Sequence, residues 1–318
     1  MIIEKTARTA NAFRRPHFLY PTARAAFRAF LAAADLRPDQ KVLLPAFIGW
    51  SPLEGSGVFD PVRELGLQAD FYQVDDRLNL DVADLEAKLV AGDVRAVVLI
   101  HYFGYVDPSF ERATALAREA GALILEDEAH ALFTDMVGGA CGRLGDACIY
   151  SLHKMLPNAT GGMLVHNRGD LPSPADAVIP GDAFTPWDYD LLGIARRRRA
   201  NAALLGELLT ASPIPGIEPL WPELGEGVVP QTYPILVRGV PRFALYQRMN
   251  EAGYGVVALY HRMIDQLPRE AYPAAHRLAD EIMNLPVHQD VGEPELRAMV
   301  EELGRQVIAL REAGPAPS

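Results

Sequence analysis

Between Lys41 and Asp127 the chain alternates short apolar runs with segments of helical period, and this alternation limits the fold more than any other feature. KVLLPAF (41–47), ADFYQV (69–74), VRAVVLIHYFG (94–104) and ALILE (122–126) read as strands, the third as one long buried run. DVADLEAKLVAG (81–92), opened by Asp81, and DPSFERATALAREAG (107–121) read as helices. Helices that separate successive strands predict an α/β fold with a mostly parallel sheet and right-handed crossovers. Upstream, residues 20–36 carry Phe27, Phe30, Leu31 and Ala34 at helical spacing behind Thr22, which stands where an N-cap would.

The remainder predicts a second unit. At 318 residues there is room for one large domain and a smaller one. Residues 169–190, rich in Pro, Asp and Gly, read as the join, giving a large domain over 1–185 and a smaller α+β domain over 186–318. The smaller one is expected to hold a helix from Leu191, a strand at 229–237, a helix at 241–253 opened by Pro241, a strand at 254–261, and a last helix from near Pro294. The run Arg196–Arg199 is expected on the solvated face of its helix.

Composition removes several function classes. The net charge of −11 argues against nucleic acid or an anionic membrane surface as partner. Cys141 and Cys148 are too few for a disulfide framework and lack a paired metal motif, so a reducing cytoplasm and no metal are expected. No apolar run is long enough to span a bilayer. The first 17 residues contain no apolar core of signal-peptide length, and only Gly314–Ser318 is expected to be disordered.

Chemistry concentrates at two places. Lysine occurs only at positions 5, 41, 88 and 154 against a large excess of arginine, and Lys154 lies between an apolar run and Gly161-Gly162. An amine nucleophile is something Lys supplies and Arg does not; the plain alternative is a strand-end side chain reaching solvent. Just upstream, the strand at 122–126 ends on Asp127, with His130 three residues on. Ligands of open parallel sheets bind beyond the carboxyl ends of the strands. An Asp for a pyridinium nitrogen and a Lys for a Schiff base are the groups that pyridoxal phosphate needs. A helix N-cap is the alternative for Asp127.

EDEAHAL (126–132), GDACIYSLHK (145–154) and GGMLV (161–165), in that order, resemble the DegT/StrS family of sugar aminotransferases, enzymes of fold type I that use pyridoxal phosphate. VLLPAF, LIHYFGYVDP and YPAAHRLADEIMNLPVHQDV extend the likeness from about Tyr20 to the last helix. The resemblance implies that Lys154 is the Schiff-base residue and proton carrier, that Asp127 pairs with the ring nitrogen, and that His130 sits by the ring. It further implies that Ser151 and the Thr22-Ala23 step hold the phosphate and that Trp50, with Phe47 as second choice, stacks on the ring. His101, His153, Tyr260 and His261 are candidates to face substrate; a buried His101 and an exposed Tyr260-His261 loop are the alternatives. The implied reaction moves an amino group from an amino acid, with glutamate the expected donor, to a keto-sugar or keto-cyclitol, in a homodimer.

The sequence departs from the family pattern in three ways. Tyr20-Pro21 replaces the usual small residues, Ser151 and Lys154 stand closer together than usual, and the 169–190 region is shortened. The closer spacing requires a tighter local turn. Two other classes stay open: a dehydratase or lyase on the same scaffold, in which a histidine such as His153 takes the lysine's part, and a non-catalytic member.

Overall fold

The computed structural model describes residues 15–37, 39–177 and 186–313. The first part runs β1 (His17–Tyr20), α1 (Ala23–Ala33), β2 (Lys41–Pro45), α2 (Phe59–Glu64), β3 (Gln68–Tyr72), α3 (Val82–Val90), β4 (Val94–Ile100), α4 (Phe110–Glu119), β5 (Leu123–Asp127), β6 (Ala147–Ser151) and β7 (Gly162–His166). The second runs α5 (Leu191–Ala211), β8 (Ile217–Pro219), β9 (Thr232–Val237), α6 (Arg242–Glu251), α7 (Pro273–Glu281), β10 (Ile282–Pro286) and α8 (Glu293–Glu312). The domain boundary expected at 185, the N-terminal reading at 1–14 and the tail at 314–318 lie outside the described residues.

The first part forms a seven-stranded sheet in the order β1-β7-β6-β5-β4-β2-β3. Strands β3, β2, β4, β5 and β6 are parallel, and β7 runs antiparallel to both β6 and β1. The second part forms an antiparallel sheet, β10-β9-β8. The alternation of side chains along each strand divides the interior by face. Val42, Leu44, Ala96, Val98, Leu123 and Leu125 join Phe27, Phe30 and Leu31 of α1 in one core. Leu43, Val97, Leu99 and Ile124, one residue out of phase, join Leu85 of α3 and Phe110 and Leu116 of α4 in another. The first core continues into the second part through Leu236, Leu278 and Ile282.

This phase places the functional side chains. Asp127 continues the row of Leu123 and Leu125 towards the α1 side. Glu126 and Glu128 continue the row of Ile124 to the opposite side.

Three expectations are corrected. The strand expected over 94–104 ends at Ile100, and Tyr102–Gly104 form a 3-10 turn with Phe103 at φ 56° and Gly104 at φ 89°. A side chain at Gly104 would place its Cβ 2.6 Å from the Val229 carbonyl oxygen, so the close approach of the second part requires glycine there. The strand expected over 254–261 is a loop with one bridge, Val257 to Asn284, because positive φ at Gly253, Gly255 and Tyr260 breaks any ladder. In the arginine run, Arg196 and Arg197 are exposed but Arg198 is buried, donating to the carbonyls of Gln231 and Met155. On α5, position 198 shares its face with buried Ala195, Ala202 and Leu205.

Candidate active site

A cavity of about 250 Å³ opens at the carboxyl edge of the parallel strands. Ile100, Asp127 and Ile149, in register across β4, β5 and β6, form its floor. The loop after β2 supplies Trp50, and residues 258–262 close it from the second part. Asp127 and His130, and Lys154 from 24 residues beyond His130, all line it.

Lys154 ends the 3-10 turn Leu152–Lys154 that follows β6, the tight turn that its short spacing from Ser151 requires. As a whole residue it is exposed, but its amine ends 3.1 Å from Nε2 of His130, a ring only 3% exposed. Burial at that end pulls the amine below its ordinary pKa of 10.5, against the opposing pull of Asp127 and Glu54. The other ring nitrogen of His130, Nδ1, accepts the backbone N–H of Phe103 at 3.2 Å. The strained 3-10 turn therefore aims a donor at His130, and a non-glycine residue at positive φ costs of order 1–3 kcal/mol. Burial, then the charge of Lys154, pushes the imidazole well below its usual pKa, so it is neutral. A neutral ring that accepts at Nδ1 carries its proton on Nε2. That proton points at Lys154, and the amine can accept it only when uncharged.

Asp127 is 5% exposed, and its Oδ1 accepts Ala129 N–H at 2.9 Å. Burial raises its pKa above the usual carboxylate value, while this hydrogen bond and Lys154 act in the other direction. A desolvated carboxylate in a cavity favours a cationic partner.

Thr22 caps α1, its hydroxyl accepting Ala25 N–H at 3.1 Å, and Ala23 lines the cavity. Gly162 pairs with both Tyr20 and Ser151 across the sheet. A Cβ on Gly162 would lie 2.2 Å from the Thr22 carbonyl and 2.4 Å from Ala23 N. The glycine thus lets the first turn of α1 settle beside Ser151, gathering three expected phosphate residues at one helix N-terminus. Ser151 is buried, does not line the cavity, and lies 3.4 Å from Nδ1 of His153 through its Oγ.

Trp50 lines the cavity with the Arg262 guanidinium 4.4 Å from its ring centroid. Phe47 is fully buried behind it, packed on Tyr260 at 5.0 Å. Tyr260 and His261 both line the cavity; Tyr260, at φ 63°, has its phenol raised by burial and by Asp127. His153 is exposed and outside the cavity. His101 is placed away from the cavity: its Nε2 lies 3.1 Å from Glu126 on the opposite face of the sheet, because residue 101 is one step out of phase with Ile100. Gly162 was marked by the Gly-Gly pair; Phe103 and Arg262 were not singled out, because a backbone donor and a stacked cation leave no signal in the sequence.

The DegT/DnrJ/EryC1/StrS aminotransferase family profile matches residues 22–177, a span that holds Asp127, His130 and Lys154. The chain is 26% identical over 319 residues to dTDP-4-dehydro-2,3,6-trideoxy-D-glucose 4-aminotransferase of Saccharopolyspora spinosa, covering 86% of this chain and 80% of that protein. Among solved structures it resembles DesI, solved with its TDP-sugar product, with a TM-score of 0.76, 22% identity and coverage of 94% and 82%. It also resembles the PLP form of the putative sugar aminotransferase Spr1654 from Streptococcus pneumoniae, with a TM-score of 0.74, 16% identity and coverage of 93% and 88%. Over this span the chain is similar to the DegT/DnrJ/EryC1/StrS aminotransferase family, and the relatives and solved structures it resembles are sugar aminotransferases.

Proposed function

We propose that the protein is a pyridoxal-phosphate-dependent aminotransferase that moves an amino group from an amino acid, glutamate first among donors, to a keto-sugar carried on a nucleotide. The observation that carries this reading is the amine of Lys154, held 3.1 Å from His130 Nε2 in the same cavity as the desolvated Asp127. The residues fit the cofactor: Asp127 would hold the pyridine nitrogen, and the Thr22-Ala23 turn against Gly162 and Ser151 would hold the phosphate. Trp50 and Tyr260 are the aromatic walls that would border the ring.

Pyridoxal phosphate, when bound, supplies an electron sink for the carbon that loses its proton. The chain supplies the rest. Lys154 would hold the cofactor through its amine and, once an amino substrate has displaced it, would carry the proton from the substrate carbon and return it. His130 holds the amine in place, and burial lowers the amine's pKa. Asp127 keeps its partner nitrogen cationic through its own negative charge. The relative in Saccharopolyspora spinosa carries a dTDP-linked dehydro-sugar in its name, which supports a nucleotide-linked acceptor here. His153 lies outside the cavity, which speaks against elimination through a histidine base.

The working unit in this proposal is a C2 homodimer. Leu53, 96% exposed on the Ser51–Gly55 turn at the cavity edge, supports a partner there. Among the described residues no helix is long and apolar enough to cross a membrane, and the two free cysteines support a cytoplasmic setting. Borohydride reduction of cofactor-loaded protein followed by mass spectrometry tests the assignment. A pyridoxyl label on Lys154 is expected. A label on Lys5, Lys41 or Lys88, or none, overturns it. Glutamate with a panel of nucleotide-linked keto-sugars and keto-cyclitols then identifies the acceptor.

A further inference from the structure

Behind the catalytic strand, on the face that Asp127 does not use, lies a buried polar cluster that the proposed reaction leaves idle. His101, Glu126, Glu128, Cys141 and Cys148 are each at most 3% exposed. Glu126 is fully engaged: it accepts the N–H groups of Gly142 at 2.6 Å and Gly145 at 2.5 Å, and lies 3.1 Å from His101 Nε2. Glu128 is the opposite case. It is 0% exposed, and Cys148, a weak thiol donor, is the one side chain placed to hydrogen-bond its carboxyl among the described residues, which leaves most of its acceptor capacity unused. Nδ1 of His101 finds no hydrogen-bond partner among them. Buried polar atoms without partners are rare in native interiors. Yet a ring nitrogen of His101, a Glu128 oxygen and the Cys141 sulfur all lie within 4.8 Å of one another.

We propose that His101 Nδ1, Glu128 and Cys141 bind a divalent transition ion of the zinc class, which braces the end of β5. A mutual spacing within 4.8 Å suits donors sharing one ion at about 2.0–2.3 Å. The histidine is already oriented as a ligand: Glu126 holds its Nε2–H, leaving Nδ1 with a bare lone pair, the carboxylate–histidine–metal arrangement. The N, O and S donor set suits zinc rather than calcium or magnesium. Cys148, within 4.8 Å of Glu126 and Glu128, borders the same carboxylate as a second sulfur. Thiolate and carboxylate are the ligating forms, so binding releases the Cys141 proton, and any proton on Glu128, to solvent as the two new bonds form. The ion would sit next to the catalytic Asp127 in sequence, yet across the sheet from the cofactor cavity, so its role is structural.

The full-length protein is incubated with zinc, dialysed and assayed for metal, and the zinc site is examined by X-ray absorption. One ion per chain with at least one sulfur at about 2.3 Å is expected, and cobalt in its place should show thiolate charge-transfer absorption. Glu128→Gln, which mimics the protonated acid and so keeps the fold, should lose the retained ion; Cys141→Ser should lose the charge-transfer band. Absence of stoichiometric metal after dialysis overturns the proposal, as does a shell of nitrogen and oxygen alone. Undiminished retention by a folded Glu128→Gln protein overturns it too. If a variant fails to fold, the wild-type absorption spectrum alone decides.

Discussion

Nζ of Lys154 lies 3.1 Å from Nε2 of His130, and Phe103 N–H fixes the opposite ring nitrogen. The pair works in one protonation state only: neutral imidazole donating, neutral amine accepting. Sheet geometry alone does not produce this. It needs the strand β4 to stop at Ile100 and turn through positive φ at Phe103.

The first prediction concerns pH. The folded pKa of Lys154 is lowered beneath 10.5, burial being the main cause. Below the folded value the amine is charged in both states and its lost hydration counts against folding; that penalty is relieved as pH rises from the folded value towards 10.5. Covalent capture of pyridoxal phosphate should rise through a midpoint below 10.5, read as borohydride-trapped label against pH. His130→Ala lets water in and should move the midpoint up, whereas His130→Gln, which still offers an N–H donor, should hold it nearer the wild type. A wild-type midpoint at or above 10.5 would remove the argument.

Asp127→Asn separates function from stability. The folded pKa of Asp127 is raised, so its charge is a cost to the folded apo protein above that pKa. The amide removes that cost and still accepts Ala129 N–H. Thermal unfolding of the apo variant should therefore be unchanged or slightly raised. Turnover should drop by about 10²–10⁴, the usual scale for a group that sets proton transfer. Lost stability with retained turnover would make Asp127 a cap and nothing more.

Much of this architecture was legible. The alternation over 41–127 called for a parallel sheet, and Thr22, Asp81 and Pro241 mark helix starts where the structure has them. The carboxyl-edge rule pointed to Asp127, which lines the cavity, because a strand end is visible as the end of an apolar run. His101 stands at a strand end too, but one residue out of phase, and phase at a strand end depends on where pairing stops. Residues 254–261 look like a strand by composition; positive φ at Gly253, Gly255 and Tyr260 overrides that. Strand β1 is short and defined by what it packs against, whereas helix α7 carries Ala275, Leu278 and Ala279 at helical spacing behind Pro273, a legible signal that the sequence reading left unused.

Arg198 illustrates the difference between a charge run and its members. Its guanidinium donates to Gln231 O at 3.0 Å and Met155 O at 3.4 Å, and to Gln289 at 3.2 Å, tying α5 to the turn that carries Lys154. Arg198→Ala strands buried carbonyls and should cost about 1–3 kcal/mol. Arg197→Ala, on the exposed side, should stay within about 0.5 kcal/mol. Equal effects in chemical denaturation would place both on the surface.

The last prediction concerns Gly162. Its Cβ position is already occupied: 2.2 Å from the Thr22 carbonyl carbon and oxygen, and 2.4 Å from Ala23 N. These are backbone atoms at the start of α1, so no side-chain rotation relieves the clash. Either β7 or the helix start must move, and overpacking of this kind costs about 1–3 kcal/mol. The same movement shifts the N–H groups of the first turn away from Ser151, which Gly162 holds in register. Gly162→Ala should therefore lose stability and, separately, retain less pyridoxal phosphate on dialysis, even at temperatures where it is fully folded. Gly169→Ala, where an added Cβ meets nothing within 4 Å, is the control and should change neither. If folded Gly162→Ala holds the cofactor as tightly as wild type, the first turn of α1 does not carry the phosphate.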